Sequence, residues 1–113
     1  MKRVVVTGIG VVSCLGNSQE EVYQSLLNSK SGITFSEEYK EYNLKSNVHG
    51  KPNIKLEDYV DRKVIRFMGP GSAYNYISMN EAVKDSGLEE KDVSNVSTGM
   101  IMGSGGPSIQ NVI

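Results

Sequence analysis

The sequence predicts an α/β chain in which an opening strand, crossover helices and a second strand make up only part of a layered sheet. Three observations carry this. The stretch Val4-Val5-Val6-Thr7-Gly8-Ile9-Gly10-Val11-Val12 is β-branched and almost continuously apolar, as in a strand covered on both faces. Ser18-Gln19-Glu20-Glu21 has capping-box spacing, with Ser18 placed to accept from the Glu21 amide and the Glu21 carboxylate to reach back, so a helix starts there. A second short apolar run, Thr98 to Gly103, follows a long helical pattern, and a right-handed crossover would lay it parallel to the first strand.

Bulk properties narrow the function classes. A chain of 113 residues is long enough for one domain with a core and too short for two. Its formal net charge of −1 gives no global attraction to nucleic acid or to an anionic bilayer, so a charged partner must be met by a local patch. A single cysteine, Cys14, excludes an internal disulfide framework and a CxxC redox or zinc motif, and points to a reducing compartment, by default the cytoplasm. The longest apolar run is broken by Thr7, Gly8, Gly10 and Ser13, so no membrane segment or cleavable leader is expected. Asn95-Val96-Ser97 matches a glycosylation sequon, which without a secretion signal reads as chance.

The elements follow in order. Gly8 and Gly10 lack a Cβ, so a helix or another backbone can approach the first strand closely. The first helix should run from Gln19 to Asn28, burying Val22 and Leu26 with Tyr23 and Leu27 beside them, and Ser29, Ser31 and Gly32 should stop it. From Gly32 to Pro52 the pattern is polar and irregular, a surface excursion whose length argues for short strands within it or for support from chain elsewhere. Leu56 to Met68 returns to helical spacing, with Val60, Val64 and Phe67 on one side, Ile65 and Met68 next to them, and Gly69-Pro70-Gly71 as the stop. Ser72 to Ser86 is the longest helical pattern, with Ala73, Tyr76, Met79 and Val83 in one stripe and Ala82 alongside; Gly87 suits the left-handed position after it and Leu88 the accompanying apolar contact. Leu88 to Val93 reads as a surface turn. Two apolar strands and three helices cannot protect both faces and both edges of a sheet. Residues 1–113 are therefore expected to be the first, incomplete piece of a larger domain.

Several constellations invite chemistry. Gly8-Ile9-Gly10 after a strand suggests a dinucleotide fingerprint, but Ser13 occupies the third glycine position and the helix cap comes only at Ser18. Cys14 and His49, the only thiol and the only imidazole, could be written as a nucleophile pair. Cys14, however, ends an apolar run, where cysteine serves as a small hydrophobe, and His49 sits in a polar loop where solvation is the simpler reading. One histidine without partner ligands makes no metal site. Gly103-Ser104-Gly105-Gly106-Pro107-Ser108 follows a strand as a phosphate cradle would, yet lacks the lysine ending of a P-loop, so its glycines fit tight turns or close approach of a thin substrate. Arg62, Lys63 and Arg66 share one helical surface opposite Val60, Val64 and Phe67, either as a solvated face or as a patch for an acidic partner.

In order and spacing, MKRVVVTGIGVVSCLGN at the N-terminus, SGITFS from Ser31 to Ser36, DRKVIRFM from Asp61 to Met68 and GSGGPS from Gly103 to Ser108 resemble the N-terminal quarter of a β-ketoacyl-acyl carrier protein synthase. The resemblance covers the whole chain, and DRKVIRFM favours the type I enzymes. It implies a thiolase-like fold, of which this would be the N-terminal part of the first αβα half, and a cytoplasmic homodimer without a cofactor. The implied activity is an acyltransferase reaction that elongates fatty acids: a cysteine takes an acyl chain from a phosphopantetheine thioester, and two histidines assist the decarboxylative Claisen condensation with malonyl-acyl carrier protein. Cys14 does not match the nucleophile's motif and His49 matches neither histidine, so no catalytic residue falls in this chain and the chain alone is expected to be inactive. By the same resemblance Arg62, Lys63 and Arg66 correspond to the basic surface that meets the acidic carrier protein, and Gly106 to a glycine lining the acyl pocket. Pro107 departs from the glycine usual beside it. A freestanding nucleotide-binding module and a noncatalytic interaction module are the competing readings.

Overall fold

A computed structural model describes residues 2–106. They are a mixture of short and long helices with one small antiparallel strand pair, and they fall into two units, residues 11–54 and residues 2–10 with 55–106.

The Val11–Ile54 unit opens on a tight turn in which Ser13 and Gly16 exchange backbone hydrogen bonds. Helix α1, Gln19–Leu27, then begins as its sequence dictates: the Ser18 hydroxyl accepts from the Glu21 amide, while the Glu21 carboxylate reaches one residue further back and accepts from the Asn17 amide at 2.7 Å. It ends at Ser29, whose φ of 51° breaks the helical path. The expected inner face is corrected. Leu26 is 62% exposed and Tyr23 and Leu27 are exposed too, whereas the residue that α1 buries is Ser25, its hydroxyl donating to the Leu15 carbonyl. Of the expected stripe only Val22 is half-buried, and the polar anchor at Ser25 fixes this helix.

The polar excursion does contain short strands. β1, Thr34–Phe35, pairs antiparallel with β2, Val48–His49, and between them α2, Glu37–Glu41, is capped by buried Ser36. Ser36 closes both elements, since its amide donates to Asn47 at the start of the β2 side and its hydroxyl accepts from Tyr39.

In the other unit the expected helix over Leu56–Met68 is split. A 3-10 turn, Leu56–Asp58, is separated from α3, Arg62–Ile65, by Asp61, whose φ and ψ of −57° and 137° are extended and whose carboxylate caps α3. The split places Val60 in the core but leaves Val64 and Phe67 exposed, so they form no buried stripe. Gly69-Pro70-Gly71 does more than stop a helix. Gly69 is the N-cap of α4, Pro70–Ser86, with proline at its first position, where the missing N–H is not needed. α4 buries Ala73, as the stripe predicts, and Ile77 in place of its neighbour Tyr76, while Tyr76 and Met79 of the expected stripe are exposed; it stops at left-handed Gly87 as expected. Leu88 to Val93 is a short capped helix, α5, Glu90–Val93, and not a plain turn.

The largest correction concerns the strands. Neither Arg3–Val12 nor Thr98–Gly103 forms a ladder, and no parallel pair exists among the described residues. Val4 is 93% and Ile101 95% exposed. A strand is defined by the neighbour that satisfies its backbone. The N-terminal segment is held instead along α4: the backbone of Gly8 and Gly10 lies so close that a Cβ on Gly8 would meet Ser86 and one on Gly10 would meet Ser78 and Ala82. The Ile9 amide donates to the Asp85 carboxylate at 2.9 Å. The close approach expected at the two glycines is thus the one that a helix makes. No described helix is long and apolar enough to cross a membrane.

Candidate functional site

The turn around α3 gathers three cations. Asp61 caps it, Oδ1 accepting from the Lys63 amide at 2.7 Å. Arg62 and Lys63 follow in the helix, and Arg66 is its C-cap at φ −64° and ψ −17°, so the spacing that places the cations on one helical turn is kept. All three side chains are exposed. Among the described residues none of them has a carboxylate within 4.0 Å, in contrast with Lys55, 3.9 Å from Asp58, and Lys91, paired with Glu89. The Arg66 guanidinium lies over the Phe67 ring, 4.9 Å from its centroid. Such a turn can bind an anionic surface, each exposed pairing contributing roughly 1 kcal/mol or less and weakening with salt.

Gly106, the other residue expected to matter, is exposed in a turn where the Ser104 hydroxyl donates to its carbonyl at 2.7 Å, and a Cβ there would meet nothing within 4 Å. Pro107 and Ser108 lie outside the described residues. An apolar cavity of about 720 Å³ is lined by Met68, Tyr76 and Met79 on one side and by Met100, Met102 and Ser104 on the other; Gly106 is not in its lining.

Cys14 sits in the Val11–Ile54 unit, half-buried between glycines. A Cβ on Gly32 would strike its backbone and Sγ, and one on Gly50 would come within 3.1 Å of Sγ. It also borders a polar cleft of about 630 Å³ with Asn17, Glu20, Glu21 and Lys30. Part of that lining is engaged in the fold, Glu20 accepting from Gln24 and Asn17 donating to the Asn53 carbonyl, while Asn17 Oδ1 is buried with no hydrogen-bond partner among the described residues. His49 is corrected from solvated to half-buried, its ring edge-on to Tyr39 at 5.4 Å. No hydrogen bond joins it to Cys14 among the described residues, and no group of three His, Cys, Asp or Glu gathers there as a metal would require. The dinucleotide reading also fails on geometry, because α4 backbone occupies the space over Gly8 and Gly10 that a pyrophosphate would need. Asn95 of the sequon is engaged, its Nδ2 donating to the Asp92 carbonyl at 2.6 Å behind α5.

Two participants in the basic turn escape the spacing argument. Asp61 carries a readable signal, an aspartate two residues ahead of Lys63 at a helix start. Phe67 carries none, since adjacent residues on a helix do not face each other, and it meets Arg66 only because the chain leaves the helix there.

Residues 1–111 match the family model described as the N-terminal domain of beta-ketoacyl synthase. The chain is 47% identical over 111 residues to 3-oxoacyl-[acyl-carrier-protein] synthase 1 of Haemophilus influenzae, an overlap covering 98% of this chain and 27% of that protein. It is 47% identical to the synthase 1 of Escherichia coli K12 over 96% of this chain and 27% of the relative. With the synthase 1 of Buchnera aphidicola subsp. Schizaphis graminum the identity is 50%, over 94% of this chain and 26% of the relative. The chain thus spans about a quarter of the length of the relatives it matches.

Proposed function

The chain belongs to the β-ketoacyl synthase family, and on that premise we propose that it is the N-terminal portion of a condensing enzyme that elongates fatty acids. The enzyme joins an acyl thioester to malonyl-acyl carrier protein by decarboxylative Claisen condensation. A cysteine outside this segment takes the acyl group and releases the carrier's thiol; malonyl loses carbon dioxide, and the carbanion attacks the acyl carbonyl, freeing the cysteine. The names of the relatives support the reaction class. Neither Cys14 nor His49 takes part, so this segment by itself is inactive. Its contribution is recognition. Arg62, Lys63 and Arg66 meet the acidic carrier protein, and Gly106 belongs to the acyl pocket once the rest of the enzyme is assembled around it. The complete protein is a cytoplasmic homodimer of thiolase-like fold, in which the apolar segments at Val4–Val12 and Thr98–Gly103 are sheet strands.

The observation that carries this reading is the capped turn with three exposed cations and no carboxylate partner among the described residues. The test is charge reversal in the full-length enzyme. Lys63→Glu with Arg66→Glu should raise the apparent KM for carrier-protein substrates at least several-fold and flatten its dependence on ionic strength, because rim charges act on encounter. Acyl-coenzyme A substrates, which dock no protein, should be far less affected. Equal loss with both substrate classes would mean that the three residues support the fold and not the docking.

A further inference from the structure

We propose that Phe67 is a positioning residue for docking: its ring is a platform that holds the Arg66 guanidinium on the face offered to the acidic partner. The inference rests on the docking reading above and adds to it a residue with no charge of its own.

Phe67 is 77% exposed, so its ring does little to fill a core. What it does touch is Arg66, whose guanidinium carbon is 4.9 Å from the ring centroid, inside the range of a cation–π contact. The contact follows from how α3 ends. Phe67 and Met68 donate to the carbonyls of Val64 and Ile65 at 3.0 Å each, three residues back. That tighter winding brings two sequence neighbours together that an α-helix would splay apart. A guanidinium can stack flat on a ring and keep its whole in-plane fork of N–H donors free for a carboxylate, whereas an ammonium over the ring turns part of its donors toward it. Holding it there removes part of the ordering that an arginine otherwise undergoes on binding. Lys63, four residues before Phe67, has no ring partner among the described residues and acts through charge alone.

The full-length enzyme provides the test, with kcat/KM measured for an acyl-carrier-protein substrate and for the matching acyl-coenzyme A. Phe67→Leu should lower the ratio of the two by about threefold to fivefold, through KM of the protein-borne substrate, as an exposed cation–π contact allows. Phe67→Tyr should restore the ratio, and in an Arg66→Ala background Phe67→Leu should have no further effect. A normal ratio in Phe67→Leu, with KM raised in Lys63→Glu/Arg66→Glu, would overturn the platform and leave docking standing. If charge reversal leaves KM unmoved, docking itself fails and the platform with it. A loss shared equally by both substrates, or one that adds to Arg66→Ala, would make Phe67 a packing residue and overturn the proposal.

Discussion

Gly10→Ala tests the one tertiary contact that the opening of this sequence specifies most sharply. An alanine Cβ at that position would lie 2.7 Å from the Ala82 amide nitrogen and closer still to the Ser78 carbonyl oxygen. Ordinary contact begins near 3.4 Å, so the segment must lift off α4 by at least about 0.7 Å, and both obstructing atoms are helix backbone that cannot turn aside as a side chain would. Forcing extra volume into such a contact costs about 1–3 kcal/mol. The lift also breaks or weakens the bond from the Ile9 amide to the Asp85 carboxylate, which in this exposed setting adds about 1 kcal/mol. The expected total is about 2–4 kcal/mol, a large fraction of the roughly 5–15 kcal/mol that holds a typical domain. The assay is the urea midpoint of the full-length enzyme, with Gly71→Ala as control. Gly71 sits in the first turn of α4 with nothing within 4 Å of an added Cβ, so alanine there should be neutral or stabilising by up to about 1 kcal/mol. A Gly10→Ala protein that unfolds within about 0.5 kcal/mol of the parent would refute the close-approach account.

Two further outcomes are expected. Cys14, wedged between Gly32 and Gly50, should react slowly with acyl thioesters and cysteine-directed inhibitors at neutral pH; rapid stoichiometric labelling detected by intact-mass spectrometry would contradict this. The 113-residue chain on its own should self-associate or unfold with little cooperativity, because Val4, Val6, Met100 and Ile101 are exposed on backbone that joins no sheet among the described residues; sedimentation as a monodisperse monomer with a sharp thermal transition would contradict that.

What could be read from the sequence divides by range. Ser18 capping α1, Ser36 and Asp61 at their helix starts, and Gly87 at the end of α4 depend on atoms within a few residues of one another. Of these the capping box and Gly87 were readable outright, and the basic turn was found from i, i+4 spacing. Periodicity was less faithful to burial. Leu26 and Val64 have the spacing of an inner face and are exposed, while Ser25 is buried because its hydroxyl satisfies the Leu15 carbonyl. The split between Tyr59 and Asp61 was missed since Val60, Val64 and Phe67 keep a helical period across it, and the period alone does not register a cap in mid-pattern. The glycines are readable as sites of close approach by a helix or another backbone, but the sequence does not say which helix, and the structure supplies α4.

The same division by range indicates what part of the proposed function this segment can hold by itself. A ladder needs a second backbone at hydrogen-bonding distance, so residues 4–6 and 100–102 join no sheet among the described residues whatever their β propensity. The proposed acyl pocket, built on such strands, would depend on the sheet being complete, and Gly106 is not in the lining of the cavity beside Met100 and Met102. The turn from Asp61 to Met68 has no such dependence. Its cap is one carboxylate and one amide two residues apart, its close is a pair of bonds to carbonyls three residues back, and its platform is the ring next to the guanidinium it supports. Among the described residues, the bonds that orient Arg66 lie within this eight-residue stretch. The proposed docking geometry is therefore encoded locally, and on that proposal transplanting Asp61–Met68 should carry the carrier-protein preference with it more faithfully than any single charge would.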